Sequence, residues 1–387
     1  METIICDTSA FLYWRTPPIA RLLAAAPEGD PLLDGLISRH RLHELRDALA
    51  RTTPLGRMCL QPGPQWRRSA ARSQTIRDAS MLLAPSVLPP VDIMVRSTSE
   101  QGKTELLRPR VVSADLPFGA TIPLTDELLV ASPALALQQL AARTTLARAL
   151  LLASELCGTF SVYQAPPPLA QELQLLIDEG RFRELGGWRP CLGRDGRLGD
   201  LWLREPLATP EELAAFAAET SWRRGRAKLA AAADLVVPGA ASPLEVRTGV
   251  LLGLSRRRGG EGHAGFSHNR RVALSPDASL LAQRDCCYCD LYYEEGIDVE
   301  CQGEAFHNSE MSGLSDSERA AGLGLMGITV VPVTSDVISS PRRTEALAHM
   351  LSHLRNVPHR PKTVREHEAS RALRREVFAN WLSLPLV

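Results

Sequence analysis

A chain of 387 residues exceeds one ordinary hydrophobic core and implies two or three domains. Its apolar content is that of a globular protein, and 44 basic residues balance 44 acidic ones, so net charge favours neither nucleic acid nor a membrane surface and any basic patch has to be local. No stretch approaches the roughly 18 apolar residues of a membrane span, and Asp7 interrupts the short apolar start, which makes a poor signal peptide; the eight cysteines are therefore expected as free thiols in a cytoplasmic protein.

The chain opens with Ile4-Ile5-Cys6, a buried-strand run, followed by Asp7-Thr8-Ser9; Arg15-Thr16-Pro17-Pro18 blocks a long helix there. Residues 39–51 have helical spacing, 54–77 are rich in Pro and Arg, and strands are read at 91–95, 110–113 and 128–131. Ser132-Pro133 is an N-cap with proline at the first helical position, and a longer apolar helix over 145–157 stops at Gly158. These elements make an α+β module of residues 1–164.

Ala165-Pro166-Pro167-Pro168 reads as a linker, 169–179 as a helix, and the glycines from Gly186 to Gly199 as loop. Thr209-Pro210-Glu211-Glu212 carries a capping box, and its helix leads through Arg223, Arg224, Arg226 and Lys228 to an Ala-rich run. Residues 165–240 are thus expected as a linker and helical connector. In 241–358 the order is helix, three strands, helix, strand, helix: a helix from Ser242-Pro243 to about 254, a basic Gly-rich loop over 256–265, strands at 271–274 and 284–292 around a Ser275-Pro276-Asp277 turn, a strand at 297–302, a helix at 315–326, a strand at 328–333 and a helix at 342–354. The helix before the last strand is a crossover long enough for parallel pairing. A basic helical tail occupies 359–387. The fold class expected is α/β, α+β overall, with a C-terminal mixed sheet flanked by helices.

In Ile297-Asp298-Val299-Glu300-Cys301-Gln302 side chains alternate, which puts Asp298, Glu300 and Gln302 on one face. Asp290 precedes Glu300 across a tight turn, so a hairpin brings the two carboxylates together. With the Cys301 carbonyl they suit a hard cation such as Mg²⁺, which activates water and stabilises a phosphodiester in transfer. Glu245 stands third after Ser242 and reads equally as a capping-box glutamate or as a carboxylate of the site.

This spacing resembles the PD-(D/E)xK nucleases. The segment from Cys289-Asp290-Leu291-Tyr292-Tyr293 to Glu300-Cys301-Gln302-Gly303-Glu304-Ala305-Phe306-His307, with the later strand Ile328-Thr329-Val330-Val331-Pro332-Val333-Thr334, is most similar to the branch related to very-short-patch-repair endonucleases. The resemblance implies a restriction-endonuclease-like domain of about a hundred residues acting on DNA. It implies catalytic roles for Glu245, Asp290, Glu300, Gln302 and His307, with Mg²⁺ at Asp290 and Glu300. Gln302 departs from the pattern, which places Lys or a further acid there. Glutamine is neither a base nor a strong ligand, so the readings are a metal-dependent DNA endonuclease or its catalytically weakened DNA-binding relative and, as the alternative, a non-catalytic antitoxin-type regulator that uses the nuclease fold as a binding scaffold. Residues 91–95 and 128–133 resemble the middle of abortive-infection-type antitoxin regulators, which implies a protein partner for the N-terminal module.

Three other groups compete for a role. Arg256, Arg257 and Arg258 are placed to neutralise phosphates. Cys286, Cys287, Cys289 and Cys301, with His268 and His307, lack zinc spacing and read as buried thiols. Asp7-Thr8-Ser9 after a strand mimics the opening of PIN-domain ribonucleases, but the prolines that follow break the helix such a domain needs.

Overall fold

The computed structural model describes residues 2–27, 29–60, 70–102, 104–303 and 310–386. They form a mixed α/β fold with three sheets.

In the first sheet β1 (Thr3–Ile5), β2 (Val91–Val95), β3 (Leu107–Val111), β4 (Thr121–Pro123) and β5 (Leu128–Ala131) lie in the order β3-β2-β1-β5-β4. β1 runs parallel to β5 and antiparallel to β2, and β2 is buried along its whole length. The second sheet, β6 (Phe160–Val162), β7 (Arg189–Leu192) and β8 (Leu198–Leu203), is antiparallel in the order β6-β8-β7. The third contains β9 (Phe266–Ala273), β10 (Cys286–Tyr293), β11 (Ile297–Gln302) and β12 (Thr329–Thr334) in the order β12-β11-β10-β9. β9, β10 and β11 are antiparallel, while β11 and β12 are parallel and joined through helix Glu310–Leu325, as the crossover requires.

Every proline that lies inside a described strand sits on a sheet edge: Pro109 in β3, Pro123 in β4, Pro190 in β7 and Pro332 in β12. A proline cannot donate to a central ladder, and on an edge it discourages pairing with another chain.

Four expectations change. The proline run is no linker: Pro166 is the N-cap and Pro167 the first residue of helix Pro167–Asp178, because proline's fixed φ suits a first turn whose N–H groups need no partner. That helix packs Leu169, Leu173 and Leu176 against Trp202 and Tyr163 and against Ile19, Leu23 and Leu49 of the N-terminal region. The stretch expected as loop, within a helical connector, instead contains β7 and the start of β8, and the turn between them is closed by Gly193 N–H donating to the Arg197 carbonyl. Ser275-Pro276-Asp277 opens a short helix, Pro276–Ala282, for the same reason as Pro167, with Ser275 Oγ accepting from Ala278 N–H.

The C-terminal segment is not a tail either. Helix Val364–Val377 buries Leu373 and Val377 in the cluster that contains Phe11, Leu150, Leu251 and Val299, and Trp381 and Leu384 close it. Trp381 Nε1 donates to Glu155 at 2.7 Å, and Arg15 holds the same buried carboxylate through two bonds of 2.8 and 2.5 Å. A single apolar cluster thus runs from residue 11 to residue 384.

Candidate functional site

The acidic centre lies where helix Pro243–Gly253 crosses the third sheet. Ser242 Oγ caps this helix by accepting from Glu245 N–H at 3.2 Å. The Glu245 carboxylate accepts from Ala241 N–H (2.7 Å), Ser242 Oγ (2.8 Å) and Asn269 Nδ2 (2.8 Å). Glu245 thus braces the start of the helix from the residue before the N-cap, a variant of the expected capping box, and its buried carboxyl lies near Asp290. Burial pushes its carboxyl up against those three donors.

Asp290 interrupts strand alternation. The β9–β10 ladder pairs Cys289 with Arg270 and Leu291 with His268, and the Asn269–Asp290 pair between them is skipped; Asn269 takes a left-handed φ of 50°. Before the break Cys287 and Cys289 pack with Leu323 and Ile328, while after it Leu291 and Tyr293 pack with Val299 and Val331. The irregular step lets Asp290 Oδ2 accept from Cys301 N–H at 2.7 Å. Burial, then the charge of Glu245, then that of Glu300, push Asp290 up to about 9.

On β11 the expected alternation is kept. Asp298 and Glu300 share a face, and Arg319, from the crossover helix, spans them: its guanidinium lies 3.1 Å from Asp298 Oδ2 and 2.7 Å from Glu300 Oε2, and donates to the Tyr288 carbonyl at 2.5 Å. Asp298 is fully buried. Burial raises Glu300 to about 7, with Arg319 pulling it down and Asp298 pushing it up; Asp298 is also raised, by burial first. Gln302 ends β11 opposite Thr334, half-buried.

The structure therefore gathers Glu245, Asp290 and Glu300 into one electrostatically coupled group. His307, and Glu304 beside it, lie outside the described residues. Arg256, Arg257 and Arg258 form a 3₁₀ turn packed on helix Val364–Val377; Arg256 is spent on the carbonyls of Glu261 (3.3 Å) and Arg360 (2.5 Å), whereas Arg257 and Arg258 are exposed. Among the described residues no group of three or more His, Cys, Asp or Glu side chains is gathered to hold a metal ion. The oxygens of Asp290 and Glu300 have the hardness Mg²⁺ prefers, but Glu245 is occupied by three donors and Glu300 by Arg319, so the donor set fits in kind and falls short in number.

Sequence reasoning missed Arg319 and Asn269, and weighed His268 only as a zinc ligand. Arg319 had one signal: it is the only basic residue of its helix. Asn269 had none, since its role depends on a break in the ladder. His268 Nδ1 lies 3.0 Å from the Asp290 carbonyl, and burial lowers the ring to about 4, so it is neutral at pH 7.

The remaining candidates are structural. All eight cysteines are free. Asp7 is buried in a left-handed conformation, bonded to Arg143 and 3.5 Å from Arg110, while Asp92 bonds Arg108 and Arg110 at 2.7 Å each. Acids so neutralised by arginine do not make the metal site of a PIN domain. A cavity of about 840 Å³ is lined by Tyr163, Trp202 and Leu382 and not by the acidic centre.

Comparison of the chain with protein-family models, with curated proteins and with solved structures finds no match. Among the described residues no helix is long and apolar enough to cross a membrane.

Proposed function

We propose that the chain is a DNA-binding protein built on a restriction-endonuclease-like core, catalytically weakened because a fixed internal cation occupies its acidic centre. The observation that carries this reading is Arg319, whose guanidinium spans Asp298 and Glu300 where a divalent ion would otherwise balance the carboxylates. Gln302 in place of a base and an Asp290 carboxyl pushed up by burial support it. Arg257 and Arg258, exposed on their turn, supply the phosphate contacts. The resemblance of residues 91–95 and 128–133 adds a protein partner at the N-terminal module to the same reading.

Fluorescence anisotropy with a labelled duplex tests it. Binding is expected with EDTA present and without added metal, weakening as salt rises, and plasmid DNA is expected to stay intact with Mg²⁺ or Mn²⁺. Metal-dependent cleavage that disappears in Asp290→Ala/Glu300→Ala overturns it.

That outcome would support a second reading, Mg²⁺-dependent phosphodiester hydrolysis, which one observation favours. Glu245 and Glu300 both raise Asp290, so the group carries charge that a divalent ion would relieve. Asp290 and Glu300 would then hold the ion, Glu245 orient it, and Gln302 and His307 position water or phosphate.

A further inference from the structure

Two cavities outside the acidic centre meet at one arginine. A surface groove of about 630 Å³ is lined by Arg148, Arg257, Arg258 and Arg375, which three separate elements bring together: the first turn of helix Leu146–Leu156, the 3₁₀ turn and the last turn of helix Val364–Val377. One carboxylate, Glu376, shares the groove and is paired with Arg148 at 3.0 Å. Four guanidinium groups against one carboxylate select an anion, and arginine's planar fork suits phosphate. Ala369 and Ala372 also line the groove, and their small side chains leave the arginine tips accessible.

Arg258 also lines a second cavity of about 410 Å³, whose wall is mostly apolar and includes Phe266 and His268. This volume lies in the range that takes a small organic ligand. His268 Nδ1 faces the Asp290 carbonyl at 3.0 Å, and a carbonyl only accepts, so Nδ1 carries a proton. Nε2 lies on the side of Gly249, which lines the same cavity. Asp234, exposed at the mouth, offers a carboxylate to ligand hydroxyls.

We infer that the groove and cavity together bind a phosphorylated nucleoside, with its phosphate on Arg257 and Arg258 and its base in the cavity beside Phe266 and His268. Apolar and aromatic walls accept a base through its π-face. The same chemistry arises from a free nucleotide or from the phosphorylated end of a nucleic-acid strand. The inference rests on the DNA-binding reading for its phosphate-bearing class and makes no use of the acidic centre.

Calorimetry on the full chain tests it with deoxyadenosine 5′-monophosphate, deoxyadenosine, and hexadeoxyadenylate with and without a 5′-phosphate. Phosphorylated probes are expected to bind about tenfold or more tightly than unphosphorylated ones. Arg257→Ala/Arg258→Ala, at exposed positions, is expected to remove that difference with an unchanged circular dichroism spectrum. Val237→Trp, which fills the cavity wall, is expected to weaken every probe. Equal affinity for mononucleotide and hexamer identifies a free nucleotide as the ligand, and binding of the hexamer alone identifies a strand end. Absence of binding at millimolar concentration, or affinity indifferent to the phosphate or to the double substitution, overturns the inference. Salt-dependent duplex binding without any terminal-phosphate preference would overturn it and leave the DNA-binding reading standing.

Discussion

Burial raises the carboxyls of the acidic centre above those of an unfolded chain. Asp290 is raised to about 9 and Glu300 to about 7, whereas free carboxyls titrate near pH 4. The folded state thus binds more protons between about pH 4 and 9, and these two groups make stability fall as pH rises through that window. Urea denaturation at intervals from pH 5 to 9 is expected to show that fall, and Asp290→Asn is expected to flatten its alkaline half; a fall of unchanged slope in the variant would refute the assignment. Arg319→Met leaves Asp298 buried without its cation and is expected to cost about 3–5 kcal/mol at pH 8. The same denaturation at pH 5 is expected to show a smaller cost, because the carboxyls then take up protons.

At the scale of the element, irregular positions shape the site. Asn269 is the left-handed residue that re-aims β9, and its Nδ2 also donates to Glu245 and to the Gly239 carbonyl. Asn269→Ala loses both the tolerance for positive φ and the bond to a buried carboxylate, for an expected loss of about 2–3 kcal/mol in chemical denaturation. Gly259 shows the same dependence on backbone. Its φ is +92°, and an added Cβ would meet the Ala369 carbonyl oxygen at 2.4 Å, so Gly259→Ala is expected to push the arginine turn off helix Val364–Val377 and lower the melting temperature. An unchanged melting temperature would show that the turn accommodates a side chain.

At the scale of the molecule, the C-terminus closes the core. Trp381 reaches back to Glu155, which Arg15 holds from the N-terminal region, so one buried carboxylate ties together residues 15, 155 and 381. Trp381→Ala is expected to cost about 3–5 kcal/mol. Calorimetry is expected to show the whole transition moving to lower temperature, because the same apolar cluster spans the chain; a separate early transition confined to the C-terminal helix would contradict this.

Local chemistry made much of the third sheet legible. Period-two alternation placed Asp298 and Glu300 on one face, the helix caps at Ser132, Thr209 and Ser242 were readable from residue type and spacing, and the crossover before β12 followed from element order. Those features depend on a few neighbouring residues. The proline runs misled because Pro-rich sequence suits a linker and a first helical turn equally, and only packing against Trp202 and Leu49 chose the helix. Which other groups meet the acids of this centre was decided by tertiary structure. Glu245, Asp290 and Glu300 come from three elements, the Asn269–Asp290 break is invisible to a periodicity, and Arg319 reaches its carboxylates only because the crossover helix lies across the sheet. Sequence therefore determined that acids would gather on β10 and β11. The fold decided that an arginine meets them, since charge balance in a buried site depends on groups far apart in the chain.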